Sequence, residues 1–289
     1  MSHLLHTEII RRRTWIERWI LSQLAKRAAQ IRTETAGLKD PDVSIVIRTK
    51  NDMEELPALI EDIRAQEYDG EVEIILVDTS SSDGTAEFAA SQNIRVITLS
   101  QASFTYPKAL NLGFDAARHE YVVSLVGHSS LSNTMMLRCL TLWHGLDNFG
   151  GLYGLPLPGR NASRSERCAS AIWMPRLIRA PIVMRQARPG MLGANASIVS
   201  HSAWKKLGGY DERYVGGGED TALGRSMIEA GMAVVYEPAF SVFHSHGLGP
   251  INMFRQLKHW REVAQSRPQP FDAAQILNRR PDLRRKEKI

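Results

Sequence analysis

Short apolar runs recur along the first half of the chain, and each run ends in polar residues. Val43–Arg48 and Glu73–Asp78 have the length and β-branched content of buried strands, and a helix-like segment separates them. Similar runs at Ile94–Leu99 and Tyr121–Val126 also follow helical stretches. Strands that alternate with helices predict an α/β fold with a mostly parallel sheet flanked by helices.

The pattern becomes less regular after residue 150. Strands are predicted at Ala196–Val199, Ala233–Tyr236 and Ser241–His244, and helices at Ser202–Leu207, Glu219–Ala230 and 251–265. Residues 160–190 contain seven arginines, and we expect this stretch to be a mobile loop region that covers a ligand.

The first forty residues predict a basic, amphipathic helical extension. Residues 4–32 contain neither Pro nor Gly, and their apolar side chains recur at helical spacing. Two interpretations stay open. The helix lies on a membrane surface with Trp15 and Trp19 at headgroup depth, or it packs on the domain or on a second subunit of a homodimer. The chain thus divides into this extension (1–40), a globular domain (41–250) and a C-terminal helix with a basic tail (251–289).

Charge is concentrated at the two ends of the chain. Residues 1–40 hold eight Lys or Arg against four Asp or Glu, and residues 279–289 hold six against two. Because the total is +5, residues 41–278 carry −3, which argues against a nucleic-acid partner. The basic ends fit attraction to anionic lipid or to another protein.

The expected location follows from three features of the composition. The chain has no apolar run of eighteen residues and no recognisable signal peptide. Its two cysteines lack metal-ligand spacing, which is typical of reduced thiols. We therefore expect a cytoplasmic protein, held peripherally on the inner face of the cell membrane if the extension binds lipid.

Acidic residues mark the ends of the first two strands. Asp52 follows the first strand closely, and Asp78 closes the second. Ligands of open α/β sheets bind at the carboxyl ends of strands, so these residues predict a small-molecule site with a nucleotide as the first candidate. The alternative is that each Asp only caps its turn.

Three histidines follow strand ends. His128 comes directly after Tyr121–Val126, and His244 and His246 follow the last predicted strand. Histidines at i and i+2 of an extended chain share a face, so one of them can meet His128 across the site. Such a group suits a divalent transition metal, whereas a lone histidine is more often a cap or a core residue.

A run of three glycines precedes the predicted helix that starts at Glu219. Glycine is unfavourable in helices, so Gly216–Gly218 predict close approach of the backbone to a ligand, with Glu219 and Asp220 presented at the helix start. A carboxylate at the mouth of a cleft can act as a general base on a hydroxyl. The alternative is that both acids only complement the helix dipole.

Lys108 and Asn111 lie three residues apart on the predicted helix before Tyr121–Val126, so they share a face. A lysine there can neutralise phosphate, and the alternative is a solvated surface lysine.

With these residues in hand, the chain resembles the family 2 glycosyltransferases, which have the GT-A fold. The resemblance covers about residues 43–250. It rests on these motifs: Val43–Asp52, Ile75–Thr85, Lys108–Gly113, Glu120–His128, Gly193–Ser197, Gly209–Glu212 with Gly218–Asp220, and Val242–His246.

The resemblance implies an inverting transfer of a sugar, hexosyl or deoxyhexosyl, from a nucleotide-diphosphate donor to a hydroxyl acceptor. It places Thr49, Asp52, Asp78, Lys108 and Asn111 at the nucleotide. Asp220 matches the family's catalytic base, and Glu219 matches its acidic neighbour. The expected acceptor is a polysaccharide, an oligosaccharide or a lipid-linked glycan, as in bacterial cell-envelope pathways.

The resemblance also implies a metal, with one departure from the family pattern. The family motif Asp-any-Asp corresponds here to Val126-Gly127-His128. His128 thus stands at the metal-ligating Asp, and a subgroup with this His and a later His-any-His is most similar. The implied cofactor is Mn²⁺ or Mg²⁺, held by His128, His244 and His246, with arginines of residues 160–190 beside the leaving phosphates.

Two other functions compete with glycosyl transfer. The first is a non-catalytic scaffold that binds a nucleotide sugar at a membrane surface; the missing first Asp of the motif favours it. The second is a nucleotidyltransferase, which needs a glycine-rich, basic phosphate loop after the first strand. Residues 49–55 contain no glycine, so the second alternative is disfavoured.

Overall fold

The computed structural model describes residues 15–178, 180–188 and 190–265. Nine helices lie within them: α1 (Trp15–Glu34), α2 (Leu56–Arg64), α3 (Thr85–Ser91), α4 (Tyr106–Ala116), α5 (Arg138–Trp143), α6 (Arg164–Leu177), α7 (His201–Lys206), α8 (Glu219–Glu229) and α9 (Pro250–Gln265). A 3₁₀ turn spans Gln101–Ser103.

The strands within the described residues form two sheets. They are β1 (Val43–Thr49), β2 (Val72–Asp78), β3 (Arg95–Thr98), β4 (Tyr121–Val126), β5 (Ser130–Leu131), β6 (Phe149–Tyr153), β7 (Pro156–Leu157), β8 (Ile182–Met184), β9 (Ser197–Ser200), β10 (Ala233–Tyr236) and β11 (Val242–Phe243). The large sheet has the order β3-β2-β1-β4-β9-β6-β10-β8, and the small one β5-β11-β7.

The first half of the large sheet is parallel, as the alternation of strands and helices predicts. β1 pairs with β2 on one side and with β4 on the other, and both pairings are in register. Ile45, Ile47 and Leu76 are fully buried in one hydrophobic cluster, whereas Val46 and Ile75 are fully buried in another. Both faces of these strands are therefore covered, which explains why their sequences read as continuous apolar runs.

The second half of the sheet is mixed. β9 runs antiparallel between β4 and β6, and β8 runs antiparallel at the edge beside β10. The small sheet joins β11 to β5, the strand that starts two residues after His128. The chain that carries His244 and His246 is thereby brought next to the end of β4. The prediction of a mostly parallel α/β sheet flanked by helices is confirmed.

Helix α1 packs on the globular body. Its buried residues Ile20 and Leu24 join a small cluster with Leu157, Met174 and Ile178. Within residues 15–178, 180–188 and 190–265, no helix has both the length and the apolar character needed to cross a bilayer.

The packing of α1 favours the interpretation in which the extension docks on the domain. Trp15 and Trp19 are 74% and 37% exposed. The remainder of the predicted helix, residues 4–14, lies outside the described residues, as does the basic tail at 266–289. The membrane interpretation and the division at residues 40 and 250 stay predictions.

The expectation of a mobile loop over residues 160–190 is wrong for residues 164–177, which form α6. A capping box starts this helix: the Ser163 hydroxyl accepts from the Glu166 amide, and the Glu166 carboxylate accepts from the Ser163 amide. Arg167 donates to Glu17 of α1 over 2.6 Å and to the Gly159 carbonyl, so this arginine is committed to the packing of two helices.

An ion pair at the middle of α1 fixes the helix to the sheet. The Arg27 guanidinium donates to both carboxylate oxygens of Glu237, at 3.1 and 2.8 Å. The Glu237 side chain is fully buried and also accepts from the Trp143 indole at 2.9 Å. Removing the cation from such a pair leaves an uncompensated buried charge, which strongly destabilises the folded protein.

We predict that Arg27→Ala lowers the free energy of unfolding by about 3–5 kcal/mol, because Glu237 is left buried without its cation. Denaturant titration measures this change. The matched control is Arg32→Ala on the same helix. The pair Arg32–Glu67 is exposed, so its loss should cost about 1 kcal/mol or less. Equal losses for the two variants would contradict the proposed role of Arg27.

Candidate functional site

The carboxyl ends of β1, β2 and β4 meet at one edge of the sheet. The parallel register places Thr49 beside Asp78 and Arg48 beside Val126. His128 therefore leaves β4 directly next to the loop that carries Asp52. These ends form the edge at which open α/β sheets bind ligands.

The loops after β1 and β2 are hydrogen-bonded to each other. The Asn51 amide donates to the Ser81 hydroxyl, and the Ser82 amide donates to the Asn51 side-chain oxygen, both at 2.8 Å. The Met53 amide donates to Asp83 at 3.0 Å. Asn51 has a φ of 52°, a left-handed conformation that Asn tolerates better than most residues. The two loops therefore form one rigid floor at this edge.

Asp78 lies on that floor with its carboxylate held by its own turn. One oxygen accepts from the Ser81 amide at 3.0 Å, and the other accepts from the Ser81 hydroxyl. Asp78 is buried. The structure thus fixes its orientation, and the contact with a nucleotide stays a prediction.

Asp52 is directed toward a histidine. The side chain of Asp52 is 2% exposed. One carboxylate oxygen accepts from the Thr49 hydroxyl at 2.9 Å and from the Lys50 amide at 3.2 Å. The other oxygen lies 3.2 Å from Nδ1 of His128. Thr49, which is also predicted to contact the nucleotide, is buried. Its hydroxyl holds the Asp52 carboxylate in place.

Helix α4 presents the two remaining residues predicted at the nucleotide. The Lys108 amide is capped by the Thr105 hydroxyl, and its side chain is partly exposed. The Asn111 amide nitrogen donates to the Tyr210 carbonyl and to Glu212, and its oxygen accepts from the Tyr210 amide. These contacts make Asn111 a clamp on the loop before α8, and its contact with a nucleotide stays a prediction.

His128, His244 and His246 come together at the end of β4. One ligating nitrogen from each of the three side chains can be chosen so that all lie within 4.8 Å of one another. Nε2 of His128 is 3.0 Å from Nε2 of His244. Each of the three side chains is partly exposed, so solvent reaches the group.

This spacing fits a metal ion. Two nitrogens that bind one ion at about 2.0–2.1 Å are roughly 2.8–3.4 Å apart at octahedral or tetrahedral angles. Three imidazoles are the donors that Zn, Fe, Ni and Cu prefer, whereas Mg²⁺ prefers oxygen. The donor set fits Mg²⁺ and Mn²⁺ less well than it fits these metals, and the identity of the metal stays a prediction.

Glu219 and Asp220 begin α8. Gly217 and Gly218 have φ angles of 107° and 97°, a left-handed conformation in which a side chain would be strained. This turn brings Asp220 to the helix start, where its carboxylate accepts from the Thr221 amide at 2.5 Å. Glu219 is buried.

The environment of Asp220 raises the pKa of its carboxyl group. Burial is the main cause, and the Thr221 hydrogen bonds and the positive charge of Arg48 oppose it. Asp220 is thus within electrostatic reach of Arg48, the side chain that leaves β1 beside the end of β4. A carboxylate with a raised pKa accepts a proton more readily than an ordinary Asp.

Arg48 and Tyr210 are two polar residues at this edge that sequence reasoning missed. The Arg48 guanidinium lies 5.2 Å from the centre of the Tyr106 ring, and its buried Nε has no hydrogen-bond partner among the described residues. The buried Tyr210 hydroxyl likewise has none there, and burial raises its pKa. Arg48 could have been found from the sequence, because it is a charged residue at the penultimate position of a buried strand.

Comparison with known proteins supports the same fold. Residues 44–144, about a third of the chain, match the sequence model of glycosyl transferase family 2. This segment contains β1 to β4 and the strand ends described above. No curated protein matches the chain.

Several solved structures share the architecture. A mannosyltransferase, PcManGT from Pyrobaculum calidifontis in complex with GDP-Man and Mn²⁺, has a TM-score of 0.59 at 15% identity over 91% of this chain and 78% of its own. S. aureus TarS residues 1–349 in complex with UDP has a TM-score of 0.55 at 16% identity, over 83% and 71%. A mycobacterial protein has a TM-score of 0.53 at 18% identity, over 87% and 78%.

These similarities identify the fold as GT-A, which confirms the predicted fold class. The family match adds that the segment holding the first four strands is similar in sequence to the glycosyl transferase family 2 model.

We predict that His244→Ala weakens Co²⁺ binding by more than the roughly 10–100-fold typical of outer-shell changes, because it removes a ligand. Calorimetry with Co²⁺ on the otherwise unaltered chain gives the affinity. His144→Ala is the control, since His144 packs against Tyr121 outside the group. An unchanged Co²⁺ affinity in His244→Ala would remove this histidine from the metal site.

Proposed function

We propose that this protein is a glycosyltransferase that moves a sugar from a nucleotide-diphosphate donor to a hydroxyl acceptor, with inversion at the sugar. The observation that carries the proposal is the meeting of the strand-end loops and the histidine group at one sheet edge, with Asp220 within electrostatic reach of Arg48 at the end of β1. The hydrogen-bonded loops carry Asp78, and a shared pocket for Asp78, the histidines and the Asp220 carboxylate is part of the proposal.

A nucleotide-sugar donor is supported by chemistry and by the comparisons. The rigid floor after β1 and β2 presents Asp78 and the side chains of Ser80 to Ser82, which suit the hydroxyls and ring atoms of a nucleoside. The family match spans this floor. PcManGT holds GDP-Man and Mn²⁺, and TarS holds UDP. We infer a nucleoside diphosphate as the leaving group here.

The histidine group would hold a divalent metal ion. His128, His244 and His246 are its proposed ligands, and their imidazoles suit a transition metal such as Zn or Fe better than they suit Mg²⁺. The bound ion supplies positive charge that offsets the charge gained by the departing diphosphate.

The acceptor step is assigned to Asp220. The acceptor oxygen attacks the anomeric carbon from the face opposite the diphosphate, and its proton passes to the Asp220 carboxylate. The bond between the anomeric carbon and the phosphate oxygen breaks, and its electron pair leaves with the diphosphate. Glu219, buried beside Asp220, is assigned to the shape of the site rather than to proton transfer.

Arg48 is placed to balance charge in this step. Its guanidinium interacts with Asp220 and packs over Tyr106, and its buried Nε lacks a hydrogen-bond partner among the described residues. A buried donor without a partner is costly, and an oxygen of the bound donor substrate would satisfy it. We assign Arg48 to this contact.

A hexose or deoxyhexose as the sugar, and a polysaccharide, oligosaccharide or lipid-linked glycan as the acceptor, are the proposed substrate classes. They rest on the family resemblance and on the basic end of the chain, which suits an anionic envelope surface. A cytoplasmic location at the membrane is proposed on the same ground.

One observation favours the non-catalytic scaffold as a second candidate. Val126 stands where the family motif has its first Asp, and it is buried and apolar. A scaffold would bind the nucleotide sugar without transferring or hydrolysing it. Release of nucleoside diphosphate from a bound donor separates the two candidates.

We predict that Asp220→Asn lowers kcat for transfer or donor hydrolysis by about 10²–10⁴-fold and leaves the donor Kd within a few-fold, because only proton acceptance is lost. Steady-state kinetics and calorimetry measure the two quantities. Glu229→Gln at the exposed end of the same helix is the control. Parallel loss of turnover and donor affinity would assign Asp220 a structural role.

We also predict a pH effect of Arg48→Met. Burial raises the pKa of Asp220 and the Arg48 charge opposes this, so removing that charge should raise the pKa further. Asp220 must be ionised to act, and the acid limb of kcat should therefore move to higher pH. Arg118→Met, which removes an exposed arginine, should leave the limb in place. An unmoved limb in Arg48→Met would show that Arg48 does not act on the base.

A further inference from the structure

Asp52 and His128 form a hydrogen-bonded pair whose geometry has a consequence for metal binding. The Asp52 carboxylate lies 3.2 Å from Nδ1 of His128, and Nε2 of the same ring faces His244 at 3.0 Å. One edge of the imidazole thus meets a carboxylate, and the other edge faces the proposed metal. A carboxylate on the outer nitrogen of a metal-binding histidine fixes its tautomer and its orientation.

Asp52 is itself held in place. The Thr49 hydroxyl and the Lys50 amide both donate to Oδ2, which leaves Oδ1 directed at the histidine. The Asp52 amide donates to the Thr85 hydroxyl at 3.1 Å, which ties the loop to α3. An ionised carboxylate only accepts hydrogen bonds, so in a neutral His128 imidazole Nδ1 is the donor and Nε2 keeps its lone pair.

Gly127 makes room for this arrangement. A Cβ at Gly127 would lie 2.6 Å from Oδ2 of Asp52 and 2.6 Å from the Thr49 hydroxyl. Such distances are too short for any side chain, so only glycine lets the Asp52 carboxylate lie beneath the end of β4. The position of the Asp52 carboxylate therefore requires glycine at residue 127.

We propose that Asp52 is a positioning residue for the metal site, which fixes His128 as the Nδ1–H tautomer, and that it does not contact the nucleotide. The proposal rests on the proposed function for the identity of His128 as a metal ligand. It replaces the nucleotide role that the family resemblance implies for Asp52. Val126 stands where the family motif has its first Asp. The Asp52 carboxylate, on the loop after the neighbouring strand, compensates for that loss by orienting His128 and does not contact the ion.

The proposal makes Asp52→Asn more damaging to metal binding than Asp52→Ala. The Lys50 amide donates to the Oδ2 position, so the Asn oxygen should stay there and its NH₂ group should face Nδ1 of His128. Nδ1 must then accept, the proton moves to Nε2, and the lone pair for the metal is lost. Asp52→Ala removes the carboxylate, but the His128 imidazole can still adopt the Nδ1–H tautomer that leaves Nε2 available to the metal.

Two measurements test this assignment. Nitrogen-15 NMR of the metal-free protein, assigned with His128→Gln, should show the Nδ1–H tautomer in the wild type and the Nε2–H tautomer in Asp52→Asn. Co²⁺ calorimetry should show about 10–100-fold weaker binding for Asp52→Asn, with Asp52→Ala less affected. Nucleoside-diphosphate affinity in EDTA should stay within about 2-fold for both variants.

Controls keep the outcomes separable. Glu54→Gln changes an exposed carboxylate two residues from Asp52, and it should leave the tautomer and Co²⁺ affinity unchanged. Gly127→Ala, which displaces Asp52 without altering it, should weaken Co²⁺ binding. It serves as the second variant if Asp52→Asn does not fold.

An Nε2–H tautomer in the wild type would overturn the proposal, and so would wild-type Co²⁺ affinity in Asp52→Asn. Loss of metal-free nucleotide binding in Asp52→Asn, with Co²⁺ affinity retained, would return Asp52 to the nucleotide. If the wild type binds Co²⁺ but no nucleoside diphosphate, the proposed function fails while the positioning role stands on the tautomer and the metal affinity.

Discussion

The parallel pairing of β1 with β2 and β4 is the constraint on which the site depends. It brings three strand ends to one edge, so that Asp78, the Asp52 loop and His128 become neighbours although they are far apart in sequence. A slip of one residue in either pairing would turn every side chain to the opposite face and separate these groups. Burial of apolar side chains on both faces specifies the register, and the core therefore sets the geometry of the site.

Polar groups at this edge are mostly engaged by each other, and this changes how their roles are assigned. Asp52 is held by Thr49 and Lys50 and is directed at a histidine. Asn111 clamps the backbone of Tyr210, which supports the turn into α8. In the structure the side chains of both residues hold other residues in place, and their predicted contacts with a nucleotide stay predictions. Arg48, by contrast, carries a buried Nε without a partner among the described residues, and it is a better candidate for contact with a substrate.

Much of the first half of the fold could be predicted because its signals are local. Tyr121–Val126 and Ala233–Tyr236 are apolar runs with clear ends, and the structure has strands with those bounds. Phe149–Tyr153 was missed because Gly150 and Gly151 are typical of a loop. In the structure a Cβ at Gly151 would lie 2.8 Å from the Ile198 carbonyl, so this glycine serves close strand packing. The direction of β9 and the Asp52–His128 contact depend on long-range pairing, which no local pattern reveals. The start of helix α6 could have been predicted from the sequence, because Ser163 and Glu166 have the spacing of a capping box.

The central claim is that one pocket gathers the histidine group, the strand-end acids and Asp220. Crystals soaked with Co²⁺ and a nucleoside diphosphate test it most directly, because the anomalous signal locates the ion independently of the phosphates. The account predicts an ion bound by His128, His244 and His246, phosphate oxygens beside it, and the Asp220 carboxylate facing the terminal phosphate across a space the size of a sugar. An ion bound elsewhere, or a nucleotide remote from Asp220, would contradict it.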